Sequence, residues 1–191
     1  MRHTEVYRYA TFGVFGGFML DKIIGALEYI VDLAVKLSSG MLTSVEIFVL
    51  TLLFSLPLGM LVAFGRMSKN CIVRGFTKLY IALMRGTPLM LQLLVVYFGP
   101  FYLFKVPLAR EYRFIAVIIA FSINYAAYFA EIYRSGIESM PQGQYEAAKV
   151  LGYNKSQTFF KIILPQVVKR VIPPVTNETI PLVKATFLAF E

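Results

Sequence analysis

Ile47 to Gly65 reads IFVLTLLFSLPLGMLVAFG, a run of 19 residues without a charged side chain. As an α-helix this run is about 28 Å long, close to the ~30 Å hydrocarbon core of a bilayer. Gly86 to Phe104 is a second uncharged run of 19 residues, and Phe114 to Ala130 is a third, of 17. Buried helices of soluble proteins usually keep a polar stripe, which these runs lack. The sequence therefore predicts three transmembrane helices.

The composition agrees with an all-α, polytopic membrane protein. Of 191 residues 58% are hydrophobic and 16% are charged, whereas soluble domains have roughly 25% charged residues. The net charge is +8, but the basic residues lie in short gaps between apolar runs, which indicates an orientation signal and no nucleic-acid partner. A single cysteine, Cys71, excludes an internal disulfide, and a single histidine, His3, excludes paired-histidine metal motifs.

No catalytic site is predicted on this chain. The sequence has no P-loop, because its nearest string, Gly152 to Ser156, lacks the adjacent Gly-Lys that holds phosphates. We therefore expect no enzyme activity, no metal and no cofactor.

Two further segments are less apolar. Val171 to Phe190 contains charged residues and three prolines, which predicts a Pro-broken fourth span that lines a polar path. Asp21 to Leu37 has apolar residues at helical spacing with charges between them, which predicts an interfacial amphipathic helix. We accordingly divide the chain into an N-terminal tail, residues 1–39, and a transmembrane domain, residues 40–191.

The charged gaps predict the orientation. The segment from Arg66 to Arg85 holds five basic residues and no acidic one, so we place it in the cytoplasm. The N-terminus is then outside, and the segment from Arg134 to Arg170 is cytoplasmic.

This second cytoplasmic segment predicts two short helices. Pro141 suits a first helical turn, Gln142 to Leu151 can continue it, and Gly152 is a natural left-handed residue after its end. Asn154 or Ser156 can cap a second helix that runs toward Leu164, where Pro165 interrupts it.

Small side chains mark the first of these helices. Ala147 and Ala148 leave a surface with little side-chain volume, which another protein's backbone could approach closely, and Glu146 adds a charge for an anchoring hydrogen bond. By composition alone, a solvated loop with incidental alanines is the alternative.

The spacing of these residues resembles a known family. Glu146-Ala147-Ala148, Gly152, Ile162, Leu164 and Pro165 reproduce the EAA loop, E-A-A-x3-G-x9-I-x-L-P, of bacterial ATP-binding-cassette importer permeases. Further strings are similar to the subgroup that imports polar amino acids: Arg85-Gly86-Thr87-Pro88-Leu89, Gln92-Leu93, Ala126-Ala127-Tyr128, Glu131 to Ile137, Gly143-Gln144 and Leu164-Pro165-Gln166.

The resemblance implies a multi-pass permease of the bacterial plasma membrane, whose loop is a coupling helix that docks on an ATPase subunit. The implied partners are ATPase subunits, a second permease, identical or related, and an extracytoplasmic substrate-binding protein; ATP is used by the ATPase. The residues implied in coupling are Gly143, Glu146, Ala147, Ala148, Leu151, Gly152, Ile162, Leu164 and Pro165.

The chain departs from the family pattern in two ways. The family has Lys-Asp-Thr/Ser-Ser-Leu where this chain has Lys184 to Leu188 as KATFL. Family permeases also continue through another hydrophobic span, whereas this sequence stops at Glu191, so we expect the permease domain to be incomplete at its C-terminus.

Polar residues within the spans are candidates for the substrate path. Glu178, Lys184 and Asn177 would meet the ammonium and carboxylate of an amino acid, unless their segment lies in the interface. Gln92 and Asn124 lie in firm spans, where a hydrogen bond between helices is the commoner role and ligand contact the alternative.

Two other classes of protein fit parts of the sequence. A secondary transporter or channel without an ATPase would carry an intramembrane ion relay and often an internal repeat, neither of which is visible. A non-transporting membrane interaction fragment would fit a sequence that stops at Glu191, before the last span of the family.

Overall fold

The computed structural model describes residues 3–105 and 110–188, which are almost entirely helical. The chain forms two compact units, one that ends at Thr43 and one that begins at Ser44. The helices are α1 His3–Arg66, α2 Cys71–Gly86, α3 Leu89–Phe104, α4 Arg110–Glu138, α5 Gln142–Val150, α6 Lys155–Gln157, a π-helical turn Thr158–Ile163 and α7 Leu164–Leu188. Over the described residues the predicted all-α class is confirmed.

Within the part of the chain that the structure describes, two helical segments are long and apolar enough to cross a membrane, Gly25–Arg66 in α1 and Tyr112–Glu138 in α4. They contain the first and third predicted spans. The second predicted span corresponds to α3, which follows α2 after a bend of 108° and meets the same criterion only when the two are taken together. The helix α3 alone has 16 residues, about 24 Å of length.

The helix α7 is continuous, so the prediction of a Pro-broken span is wrong for residues 171–188; residues 189 and 190 lie outside the described part. Pro173, Pro174 and Pro181 all lie inside the helix. Each proline removes one N–H but holds φ near its helical value, and packing on α4 keeps the helix together: Leu182 is fully buried in the core that α4 builds.

The segment predicted as an interfacial amphipathic helix, Asp21 to Leu37, is helical and forms part of α1, which continues to Arg66. The sequence between Leu37 and Met41 contains no proline, and extending a helix adds one hydrogen bond for each residue that becomes ordered. The described side chains from Gly25 to Ser38 are exposed.

One stripe of α1 packs against α4. The residues of this stripe occur at every fourth position and are buried: Ile47, Thr51, Ser55, Gly59 and Ala63. Most of them are small, which lets two helices approach closely. A Cβ atom on Gly59 would lie 2.9 Å from Cβ of Phe129, so this position needs glycine.

The contacts define the directions of the helices. Gly59 meets Phe129 and Arg66 meets Glu131, so α1 and α4 run in the same direction. Gln92 meets Asn124, whereas the later residue Val96 meets the earlier residue Tyr112. The helix α3 is therefore antiparallel to α4, as a chain that crosses a membrane back and forth requires.

Candidate functional site

The loop between α4 and α7 is built around one left-handed residue. The helix α5 ends at Val150, and Gly152 then takes φ 77°, as predicted for the residue after the helix. The amide of Tyr153 donates to the carbonyl of Ala148 over 3.0 Å. A left-handed residue with such a backward bond closes a helix C-terminus and redirects the chain.

The second helix of the loop begins with a capping box. Asn154 Oδ1 accepts from the amide of Gln157 over 2.9 Å, and Gln157 Oε1 accepts from the amide of Asn154 over 3.0 Å. Of the two predicted caps the structure selects Asn154, because its side chain satisfies one free N–H while Gln157 satisfies another.

The predicted end of this helix at Pro165 is wrong. The chain stays helical from Lys155 through α6, the π-helical turn and α7. The amide of Leu164 donates to the carbonyl of Phe159, five residues earlier. In a regular α-helix the ring of Pro165 would clash with the carbonyl four residues earlier, and this wider turn lies directly before the proline. Ile162 and Leu164 are half-buried and Pro165 is exposed.

The two adjacent alanines do not form one surface. Ala148 is only 1% exposed, whereas Ala147 is exposed, because successive residues of a helix are about 100° apart. The prediction that Ala147 and Ala148 form one flat surface is therefore wrong. Ala147 is at the surface, whereas Ala148 contributes to the packing of the loop.

A different small-residue surface faces outward on α5. Gly143, Glu146, Ala147 and Val150 are all exposed and follow the spacing i, i+3, i+4, i+7, which places them on one helix face. Val150 is 87% exposed and the neighbouring Leu151 is 72% exposed. We call these five residues the loop face; it combines two small residues, two apolar side chains and one carboxylate.

The loop is attached to α7 at two points. Gln166 Nε2 on α7 donates to Gln144 Oε1 on α5 over 3.2 Å. Arg170 on α7 donates from Nη1 to the carbonyl and to Oγ of Ser139, over 2.8 and 3.0 Å. A force on the loop face would therefore be passed to α7.

Gln92 and Asn124 hold the bend between α2 and α3. Pro88 has no N–H, so the carbonyl of Met84 loses the donor that an α-helix would supply four residues later. Gln92 Nε2 and Asn124 Nδ2 donate to this carbonyl over 2.9 and 3.0 Å, and Asn124 also donates to Gln92 Oε1 over 2.9 Å. Gln92 Nε2 further contacts Oγ1 of Thr87 at 2.7 Å.

The candidate substrate-path residues on α7 lie on two different faces of the helix. Asn177 and Lys184 are exposed and seven residues apart, so they share one face of this unbroken helix, whereas Glu178 is half-buried. Glu178 is close enough to Tyr125 on α4 to interact with it electrostatically. Glu178 and Lys184 do not face each other, as expected for a spacing of six residues.

An ion cluster joins the ends of α1 and α4. Glu131 Oε2 lies 2.7 Å from Arg134 Nη2, and Glu131 Oε1 lies 3.9 Å from Arg66 Nε. Arg134 also pairs with Glu138, and the guanidinium of Arg85 lies over the ring of Tyr128, 5.2 Å from its centroid. One partly buried carboxylate thus connects two helices.

Sequence reasoning missed α2 and the role of the Met84 carbonyl. The signal for α2 was the spacing of Ile72, Phe76, Leu79 and Leu83 at i, i+4, i+7 and i+11, which is typical of an amphipathic helix. The Met84 carbonyl could not be found in this way, because its donors come from two other helices.

Within residues 3–105 and 110–188, no group of three or more His, Cys, Asp or Glu could hold a metal ion.

The fold and the attached loop define a polytopic α-helical membrane protein. The chain belongs to the family of binding-protein-dependent transport system inner membrane components, whose model matches residues 55–189. This confirms the family resemblance and the membrane assignment.

The relatives of this chain are permeases of amino-acid transport systems. It is 34% identical over 161 residues to the putative glutamine transport system permease protein GlnP of Rickettsia typhi. The matched region covers 83% of this chain and 72% of that protein. It is 39% identical over 153 residues to the L-cystine transport system permease protein TcyB of Bacillus subtilis, with 80% and 64% covered, so it spans less than two thirds of that relative.

A solved structure has the same fold. The crystal structure of an amino acid ABC transporter with histidines matches with a TM-score of 0.71 and 32% identity, over 79% of this chain and 69% of that chain.

Proposed function

We propose that this chain is the membrane-spanning subunit of an ATP-driven importer of polar amino acids, and that the loop face transmits the movement of an ATPase subunit to α7. The observation that supports this proposal is the construction of the loop. It presents small and apolar side chains outward on α5 and is tied to α7 through two hydrogen-bonded pairs, Gln144–Gln166 and Ser139–Arg170.

The substrate class follows from the relatives, which are named for glutamine, cystine and arginine transport. All three compounds carry an ammonium and a carboxylate group. The exposed face of α7 with Asn177 and Lys184, and the half-buried carboxylate of Glu178, supply the opposite charges along one helix. We propose that these residues line the substrate path. Gln92 and Asn124 support the path indirectly, because their hydrogen bonds hold the bend between α2 and α3.

The assembly that this function needs contains two permease subunits, two ATPase subunits and an extracytoplasmic binding protein that selects the substrate. The chain itself is not an enzyme and carries no cofactor, since ATP is bound and hydrolysed by the ATPase. The loop face is cytoplasmic, as is the segment from Arg66 to Arg85, and the N-terminus lies outside.

Co-purification with the ATPase tests the proposal. Ala147→Arg places a long charged side chain in the centre of the loop face, and we expect it to remove the ATPase from the purified complex while the chain still inserts into the membrane. Gln142→Arg is the matched control, because Gln142 is exposed on the same helix but about 140° away from Ala147. Equal ATPase yield from both variants would reject docking through the loop face.

A further inference from the structure

The helix α2 has an apolar face and, nearly opposite to it, a basic face, and both faces are exposed. Its apolar stripe consists of Ile72, Phe76, Leu79 and Leu83, which are 81%, 74%, 65% and 52% exposed. Its basic stripe consists of Arg74, Lys78 and Arg85, which are exposed as well. With 100° per residue the centres of the two stripes lie about 150° apart, while a third face packs on α4 through Tyr80 and Ile81.

The direction of α2 follows from the bend that precedes α3. The two helices are bent by 108°, close to perpendicular. When α3 crosses the bilayer, α2 therefore lies near the plane of the membrane. Four large apolar side chains exposed to water would be unfavourable, since each fully buried side chain of this kind contributes about 1.5–3 kcal/mol.

The charge around α2 is uncompensated. From Arg66 to Arg85 the sequence contains five basic residues and no acidic one. Arg66 pairs with Glu131, and Arg85 stacks on Tyr128, whereas Lys69, Arg74 and Lys78 form no ion pair within the described residues. Three unpaired cations, together with the apolar stripe on the opposite face of α2, fit a surface that is both apolar and anionic.

We propose that α2 lies in the membrane–water interface, with its apolar stripe among the acyl chains and Lys69, Arg74 and Lys78 bound to the headgroups of anionic phospholipids. A second copy of this chain fits less well, because a twofold interface through α2 would bring the same basic residues together. Lipid supplies the missing negative charge and covers the stripe at the same time.

Lipid selectivity at Cys71 tests the headgroup contacts. Cys71 is the single thiol of the sequence, begins α2 and is exposed, so a bimane label there reports on nearby lipid. The full chain is placed in vesicles of equimolar phosphatidylglycerol and phosphatidylcholine, and quenching by spin-labelled phosphatidylglycerol is compared with quenching by spin-labelled phosphatidylcholine. We expect an enrichment of phosphatidylglycerol of about five-fold or more, because a factor of five corresponds to about 1 kcal/mol, the attraction of a single Lys or Arg to an anionic surface.

Two double variants with the same change of net charge separate a local from a general effect. Arg74→Gln with Lys78→Gln should remove the enrichment, and Lys149→Gln with Lys161→Gln, exposed residues of the loop region, should retain it. High salt should reduce the enrichment in the unmodified protein, because exposed charges are screened. Equal enrichment in both double variants, or none in the unmodified protein, overturns the headgroup contacts.

Measurements of the depth of labelled side chains in the bilayer test whether the apolar stripe lies among the acyl chains. In a Cys71→Ser background, a label on Phe76→Cys should be quenched by nitroxides on the acyl chains, and a label on Arg74→Cys should be quenched by iodide in water. Protection of the Phe76→Cys label from both quenchers would show that protein covers the stripe and would overturn the proposal. Neither readout depends on amino-acid uptake or on the ATPase, so this proposal can fail independently of the transport function.

Discussion

Asn124 on α4 donates a hydrogen bond from Nδ2 to Oε1 of Gln92 on α3 over 2.9 Å, and both side chains also donate to the carbonyl of Met84 at the end of α2. Three helices thus meet at one carbonyl, which is free because Pro88 has no N–H. The bend between α2 and α3 is held by side chains that belong to two different helices.

The first prediction concerns this bend. We expect Gln92→Ala and Asn124→Ala each to lower the free energy of unfolding by about 0.5–1.5 kcal/mol, since each substitution removes hydrogen bonds from this partly buried site. In a double-mutant cycle the two residues should be coupled by about 0.6–1.7 kcal/mol. Unfolding in detergent measures both quantities. Gln142→Ala, at an exposed glutamine, is the control and should have no effect; strictly additive losses would contradict the shared site.

The second prediction concerns Gly152, which has φ 77°. Gly152→Val should destabilise the loop by roughly 1–3 kcal/mol, because a β-branched residue is strained in this conformation. Gly152→Asn should be much milder, since asparagine tolerates the left-handed region. Limited proteolysis after Lys155 measures the opening of the loop. The same cleavage rate in both variants would show that backbone strain at this position is unimportant.

Glu131 is the subject of the third prediction. Glu131→Gln removes the charge that Arg66 and Arg134 share, while Glu138→Gln removes a charge that, among the described residues, pairs only with Arg134. The side chain of Glu131 is 20% exposed and that of Glu138 is 53% exposed. We expect a loss of about 1–3 kcal/mol for Glu131→Gln and about 0–1 kcal/mol for Glu138→Gln. Thermal unfolding of the two proteins in one detergent tests this order, and a larger loss for Glu138→Gln would refute it.

The fourth prediction rests on the proposed substrate path. In the assembled importer, Glu178→Gln should lower the uptake of cationic amino acids more than that of neutral ones, because only the carboxylate charge is removed. Lys184→Gln should shift the preference in the opposite direction. Uptake of radiolabelled arginine and glutamine measures the ratio. An equal loss for both substrates in Glu178→Gln would place this residue in the packing between α7 and α4, outside the path.

The fifth prediction concerns orientation. Because Cys71 is exposed at the start of α2 and this segment is proposed to be cytoplasmic, a membrane-impermeant maleimide should fail to label intact cells and should label permeabilised cells. The Cys71→Ser variant controls for labelling of other proteins. Labelling of intact cells would invert the proposed topology.

The sequence alone was sufficient to predict the class of protein, and its long apolar runs lie largely in α1, α3 and α4, whereas the break that it predicts in α7 is absent. Uncharged runs such as Ile47 to Gly65 identify spans because each residue must be apolar wherever the helix meets lipid, whatever its neighbours are. The left-handed conformation at Gly152 and a helix cap at Asn154 or Ser156 could be predicted for a similar reason, since both depend on bonds between residues close in the chain.

Only the tertiary structure decided which side of each helix faces inward. Ala147 and Ala148 are equivalent in composition, yet α5 buries Ala148 and exposes Ala147, because packing on the rest of the loop selects the rotation of the helix. Pro173, Pro174 and Pro181 favour a break locally, but burial of Leu182 against α4 keeps α7 continuous. Gln92 and Asn124 become partners only when α3 lies beside α4. A local sequence pattern cannot specify such choices, because their free energy comes from contacts between residues that are distant in the chain.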